Sequence, residues 1–392
     1  MKKVTTTFLL VLFAILTCIA QTSETENVVG ANHFIDSKIL GEKRHIQIHL
    51  PPTYAETDEK YPVLYVLDGQ LFFEYGVSLS KTFKQFKLAP EFIIVGIHTP
   101  FPQRYRQFSG GSDNFMGFFE KELIPYIESS FRINEERLLF GWQYAGSFGF
   151  KMMLNHPEAM SGYLLASPFP IWDQIDALDS ISVINSKLYF AVSPDEYQVN
   201  HGTEKLDAAL SGKTIDRLDW TYAEFLNEEH NSTAYPTLYH GLRSYFKYYR
   251  EFQVDNLQKF LAAGGLDYAY AYARERGRQY GFSPELSSWS KYTIIRSAIR
   301  AEELGHFQTF VEEFVTEDFI RGLKFRAMDI ASFYEEQEGY KMAINIYQML
   351  LKDFPDSEDL LKRVGNAYLS LDKNEEAEKY FKRARGISEG NN

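Results

Sequence analysis

Apolar and polar residues alternate with two distinct periods along the chain. Ile46-Gln47-Ile48-His49-Leu50 has the period of two expected of a strand with one buried face. Val63-Leu64-Tyr65-Val66-Leu67 is apolar throughout, as in a strand covered on both faces. Phe92 to Ile97, Leu138-Leu139-Phe140 and Lys187 to Val192 read the same way, while residues 116–128 and 149–155 carry helical spacing. Strand and helix in alternation predict an α/β domain over residues 21–250, a mostly parallel sheet with helices on both faces.

From about Val254 the strand signals stop and helix follows helix. The end of the chain repeats itself every thirty-four residues, the tetratricopeptide period. Leu361, Val364, Gly365, Tyr368, Ala377, Phe381 and Ala384 correspond to Ala327, Ile330, Ala331, Tyr334, Ala343, Tyr347 and Leu350 one period earlier, closed by Pro355. Small residues at Gly365 and Ala377 would let antiparallel helices approach, with Tyr368 and Phe381 filling the space beside them. Two tetratricopeptide-like repeats are therefore expected over 324–391. A helical linker over 251–323 would hold a degenerate third copy that turns at Leu304-Gly305. Each such unit buries its apolar face only against a neighbour, and stacked units present a concave surface suited to a peptide or protein partner.

The N-terminus changes the picture of where the protein works. Lys2 and Lys3, an apolar run from Phe8 to Ile15 and Cys18-Ile19-Ala20 form an export signal cleaved near Ala20, giving a periplasmic or extracellular protein. Thr17 is a poor fit to the small residue that precedes a lipid-modified cysteine, which argues against a lipoprotein anchor at Cys18. Cys18 is the only cysteine, so the mature chain after residue 20 has no thiol for a disulfide, a nucleophile or a metal. The run is too short for a membrane span, and no later stretch supplies one. The formal net charge of −12, with no basic cluster, argues against nucleic acid as a partner.

Candidate chemistry centres on one turn. The predicted strand ending at Phe140 runs into Gly141-Trp142-Gln143-Tyr144-Ala145-Gly146. A hydrolase elbow needs small residues on either side of its nucleophile, because the turn is strained and the helix lies close to the strand. Gly141 and Ala145 meet that need, but Gln143 stands at the nucleophile position. A carboxamide is a poor nucleophile. Ser147 completes a second elbow-like pattern, Ala145-x-Ser147-x-Gly149, yet lies one helical turn further on. No metal-binding, phosphate-cradling or dinucleotide motif is present, so no cofactor is expected.

Tyr61-Pro62-Val63-Leu64-Tyr65-Val66-Leu67-Asp68-Gly69, Val95-Gly96-Ile97 and Phe115 through Pro125 form an ordered set of short words. Ser167-Pro168, His230-Asn231-Ser232-Thr233 and Gly241-Leu242-Arg243 continue it over roughly 200 residues. Together they resemble the α/β-hydrolase family that includes esterase D and the enterochelin esterases. That resemblance implies an α/β-hydrolase fold, with His230 as the general base and Asp195 or Glu196, preferably Glu196, as the acid that orients it. It also implies oxyanion donors at the backbone of Tyr144 and near Gly69-Gln70. A hydrogen bond between Gln143 and His230 would satisfy both side chains.

Three functions follow. One is a pseudo-esterase that binds a small ester-like ligand or a partner protein without turnover. Another is an active ester hydrolase using Ser147 or a water activated by His230. The third is a scaffold built around the repeats.

Overall fold

The computed structural model describes residues 28–390, so the expected export signal and Cys18 lie outside the described residues. The chain divides into two compact units, one of residues up to 82 with 91–241 and one of residues 83–90 with 242 onward.

The first unit is built on one eight-stranded sheet. Strands β1 (Ala31–Ser37), β2 (Glu42–His49), β3 (Tyr61–Leu67), β4 (Ile93–Ile97), β5 (Ile133–Trp142), β6 (Gly162–Ala166), β7 (Val183–Val192) and β8 (Asp216–Glu224) lie in the order β1-β2-β4-β3-β5-β6-β7-β8. β1 pairs with β2, and β2 with β4, in antiparallel fashion; every pair from β4 through β8 is parallel. β3 is buried along its whole length, which explains its unbroken apolar run. β2 alternates, because only one of its faces meets the core. Aromatic side chains supply much of that core, with Tyr65, Phe115, Phe119, Phe140 and Phe148 all fully or almost fully buried.

Helices α1 (Gly69–Gln85), α2 (Gln103–Phe108), α3 (Ser112–Phe118), α4 (Ile124–Ser130), α5 (Tyr144–Asn155), α6 (Trp172–Ile175), α7 (Tyr197–Ser211) and α8 (Ala234–Tyr245) connect or follow the strands. The helix expected over 116–128 is α3 and α4 joined by one turn of wider π-helix at Phe119–Leu123.

The second unit is helical among its described residues. α9 (Leu257–Ala262) and α10 (Gly265–Tyr280) precede three antiparallel pairs. These are α11 (Ser288–Arg300) with α12 (Leu304–Phe314), α14 (Ala327–Glu336) with α15 (Tyr340–Asp353), and α16 (Glu358–Leu369) with α17 (Asn374–Gly390); α13 (Glu317–Leu323) lies between the first two. A Cβ added at Gly365 would sit 2.5 Å from the Phe381 ring, so glycine is what admits that ring against α16. The turn expected at Leu304-Gly305 instead falls at 301–303, where Glu302 takes the positive φ of 56° and Leu304 begins the next helix.

Candidate functional site

The carboxyl ends of the parallel strands carry the candidate residues. β5 ends at Trp142 and α5 begins at Tyr144, leaving Gln143 alone to reverse the chain with φ 57° and ψ −118°. A non-glycine residue there costs on the order of 1–3 kcal/mol and persists only where its surroundings enforce it. Those surroundings are visible. Gln143 N–H donates to Ala166 O (2.9 Å), and Gln143 O accepts from Ser147 N–H (2.9 Å) and Phe169 N–H (3.2 Å). At Gly141 an added Cβ would lie 2.5 Å from Ala145 O, which is the close approach the small residue permits.

The side chain of Gln143 does not meet His230. Its Oε1 accepts from Arg104 Nη1 (3.2 Å) on α2. Arg104 is itself locked: Nε and Nη2 donate to the two carboxylate oxygens of Asp68 (2.8 and 2.9 Å), and Nη2 also donates to Trp142 O (3.0 Å). The guanidinium lies over the Trp142 ring, 5.4 Å from its centroid. Asp68 is fully buried, follows β3 with a positive φ of 54°, and accepts a further bond from Thr99 Oγ1.

Glu196 and His230 form a second, connected group. Glu196 Oε2 pairs with His230 Nδ1, while Oε1 accepts from Ser167 Oγ (2.8 Å) and Ser193 N–H (3.0 Å). Burial pushes the Glu196 carboxyl up, but the hydrogen bonds from His230, Ser193 and Ser167 outweigh it and hold the group below the usual carboxylate range. Thr233 Oγ1 shares a bond with Ser167 Oγ (2.7 Å) and donates to His230 O (3.1 Å), which also accepts from Trp142 Nε1 (3.0 Å). Asp195 is exposed, and its recorded bond is a backbone one to Ser193 Oγ (3.3 Å). Of the two neighbouring acids, Glu196 is therefore the one joined to the histidine.

Ser147 sits inside α5, only 4% exposed. Its hydroxyl donates to Pro170 O and accepts from Gln174 Nε2 (2.8 Å), so its partners lie away from His230. Tyr144 and Gln70 occupy the first turns of α5 and α1, where backbone N–H groups lack intrahelical acceptors. The Gln70 side chain is tied to Thr99, with Nε2 donating to its carbonyl (3.3 Å) and Oε1 accepting from its N–H (3.1 Å). Gly69 packs so tightly on β4 that a Cβ would fall 2.7 Å from Gly96 C. Among the described residues no cluster of three or more His, Cys, Asp or Glu is arranged to hold a metal.

Asp68, Ser167 and Thr233 stood inside the recognised sequence words without being singled out. Arg104 lay between two words and carried no signal. Around the group runs an aromatic rim, Tyr105–Tyr144–Phe169–Trp172, with successive ring centroids 5.1, 6.0 and 5.1 Å apart.

A mostly parallel sheet of this order, with a strained strand-to-helix turn facing an acid–histidine pair, defines an α/β-hydrolase fold. Residues 37–214 match the family model described as "Putative esterase". YbbA of Bacillus subtilis, an uncharacterized protein, is 25% identical over 131 residues, covering 29% of this chain and 52% of that one. The ferri-bacillibactin esterase BesA of the same organism is 33% identical over 66 residues, 17% of this chain and 23% of BesA. The chain thus spans about half or less of the curated relatives it matches. An IroE-like serine hydrolase from Shewanella oneidensis shares the fold at a TM-score of 0.52 and 24% identity, over 72% of this chain and 98% of its own.

Proposed function

We propose that the α/β unit is a pseudo-esterase, exported from the cell, that binds a ligand related to the siderophore esters cleaved by relatives such as BesA without hydrolysing it. The observation that carries this reading is Gln143. It holds the strained backbone of a nucleophile, but its side chain is a carboxamide whose oxygen is tied to Arg104. The Glu196–His230 pair beside it is complete, so the loss is confined to the attacking atom. The C-terminal helical pairs, read as tetratricopeptide-like repeats, would supply a surface for a peptide or protein partner.

The second reading, an active hydrolase in which His230 activates a water, draws on that same intact pair. Ser147 supports it poorly, since its hydroxyl is committed to Pro170 and Gln174.

The test is hydrolysis of short-chain p-nitrophenyl esters by wild type, His230→Ala, Gln143→Ser and Gln143→Ser with His230→Ala. Wild type is expected to be silent. Gln143→Ser should gain at least about a hundredfold over it and lose that gain without His230, since positioned general-base catalysis supplies factors of that order. Turnover by wild type that disappears in His230→Ala alone would establish the second reading instead.

A further inference from the structure

The end of the Gln143 carboxamide that faces Arg104 is chemically fixed. A guanidinium carries donors and no acceptor, so it must meet the amide oxygen. Arg104 cannot swing aside to release it, because two bonds to the buried Asp68, one to Trp142 O and the underlying indole all hold it. The Gln143 Nε2 group is consequently turned away from Arg104, and its two N–H donors have no acceptor among the described residues. Where the fold would present a hydroxyl oxygen with lone pairs for attack, this chain presents a pair of hydrogen-bond donors.

From this we infer that the site selects a carboxylate over an ester, with Gln143 Nε2 as the donor that makes the choice; the inference rests on the non-hydrolytic reading above. Two carboxylate oxygens can each take an N–H, one from Gln143 and one from the Tyr144 backbone. Hydrogen bonds to an ionised acceptor are roughly twice as strong as neutral ones. An ester offers a neutral carbonyl, and its alkoxy oxygen is the weaker acceptor.

Arg104 is not the receptor. Its charge is matched by Asp68 through two bonds, and its part is to position Gln143. The carboxylates already in the site do not compete for these donors either. Asp68 is bound to Arg104 and Thr99, and Glu196 to His230, Ser167 and Ser193.

The body of the ligand is apolar. The Tyr105–Tyr144–Phe169–Trp172 rim, which includes the residue next to Gln143, suits a planar apolar group behind the carboxylate, for which benzoate is the simplest probe.

Calorimetric titration of the purified protein with benzoate and with methyl benzoate tests the inference. Benzoate should bind at least about tenfold more tightly than its methyl ester, a difference of about 1.4 kcal/mol. Gln143→Glu replaces the donor by an acceptor of the same shape and should weaken benzoate at least about tenfold, with near-ultraviolet dichroism reporting an intact fold. Gln143→Ala should also weaken it, and serves where the glutamate variant does not fold.

Methyl benzoate binding as tightly as benzoate, benzoate binding unchanged in a folded Gln143 variant, or no saturable benzoate heat up to about 10 mM would each overturn the inference. Release of benzoate from the methyl ester by wild type during the titration would sink the non-hydrolytic reading separately, leaving the measured preference for acid over ester to be judged by itself.

Discussion

Asp68 and Asp195 show how far apart two aspartates on strand-end turns of one site can stand. Asp68 is fully buried and ion-paired to Arg104; Asp195 is exposed and has no charged partner among the described residues. Asp68→Ala would leave the largely buried Arg104 charge without its carboxylate, and should cost about 3 kcal/mol. Asp195→Ala should stay within about 0.5 kcal/mol of wild type. Urea denaturation midpoints of the two variants check both values. The elbow pattern and His230 were legible because each sits in a local run, 141–146 and 230–233, whereas the acid was narrowed only to Asp195 or Glu196 by its place after β7. Arg104 was illegible because its partners Asp68 and Gln143 are 36 and 39 residues away, and no local period records a clamp between three connections. The expected bond between Gln143 and His230 failed for the same reason. Arg104, unseen, takes the glutamine oxygen first.

At the scale of elements, legibility followed burial. β2, β3, β4, β5 and β7 announced themselves through runs that are buried on one or both faces. β8 was missed although Leu218, Trp220 and Tyr222 alternate with polar residues, the period-two pattern of a strand half-buried at the sheet's edge. β1 lies on the opposite edge, and β6 carries Leu164, Leu165 and Ala166, good helix formers, where the equally short β4 carries four β-branched residues. In the helical unit, the glycine of the repeat has a testable job. Gly365→Ala forces its Cβ into the Phe381 ring and should destabilise that helical pair by about 1–3 kcal/mol, read as a lower unfolding midpoint.

The antiparallel margin of the sheet carries a pH dependence of its own. The rings of His45 on β2 and His98 just after β4 lie with centroids 3.8 Å apart and planes tilted by 39°. Their Nε2 atoms bond Asn32 Oδ1 and Gln47 Oε1, both at 2.8 Å. Burial, then His45, then Arg44 push His98 down to about 4 from its ordinary 6.5, and burial lowers His45 as well. The unfolded chain therefore takes up these protons before the folded one does. Stability should hold above pH 6.5 and fall as the pH drops from 6.5 towards 4, with no further loss from His98 below that. Urea midpoints at pH 7 and pH 5 should differ less in His98→Gln than in wild type; an equal drop in both would remove His98 as the cause.

At the scale of the whole molecule, every residue of the candidate site falls within the first compact unit, and what remains to be argued is where that unit works. No helix among the described residues is long and apolar enough to cross a membrane. The N-terminal run from Phe8 to Ile15, with Lys2 and Lys3 before it and Ala20 behind it, is proposed as an export signal. Its removal has a chemical consequence that can be weighed. Cys18 is the only cysteine, so cleavage after Ala20 yields a chain that begins at Gln21 and contains no thiol. Intact-mass analysis of the protein recovered from the exported fraction should give that N-terminus, and a maleimide should add no mass to it under denaturing conditions. A chain retaining an unmodified Cys18 would take up one label, whereas a lipoprotein would begin at Cys18 and carry the mass of its acyl chains. Either result would place the elbow, its Arg104 clamp and its aromatic rim in a different setting from the thiol-free, exported protein proposed here.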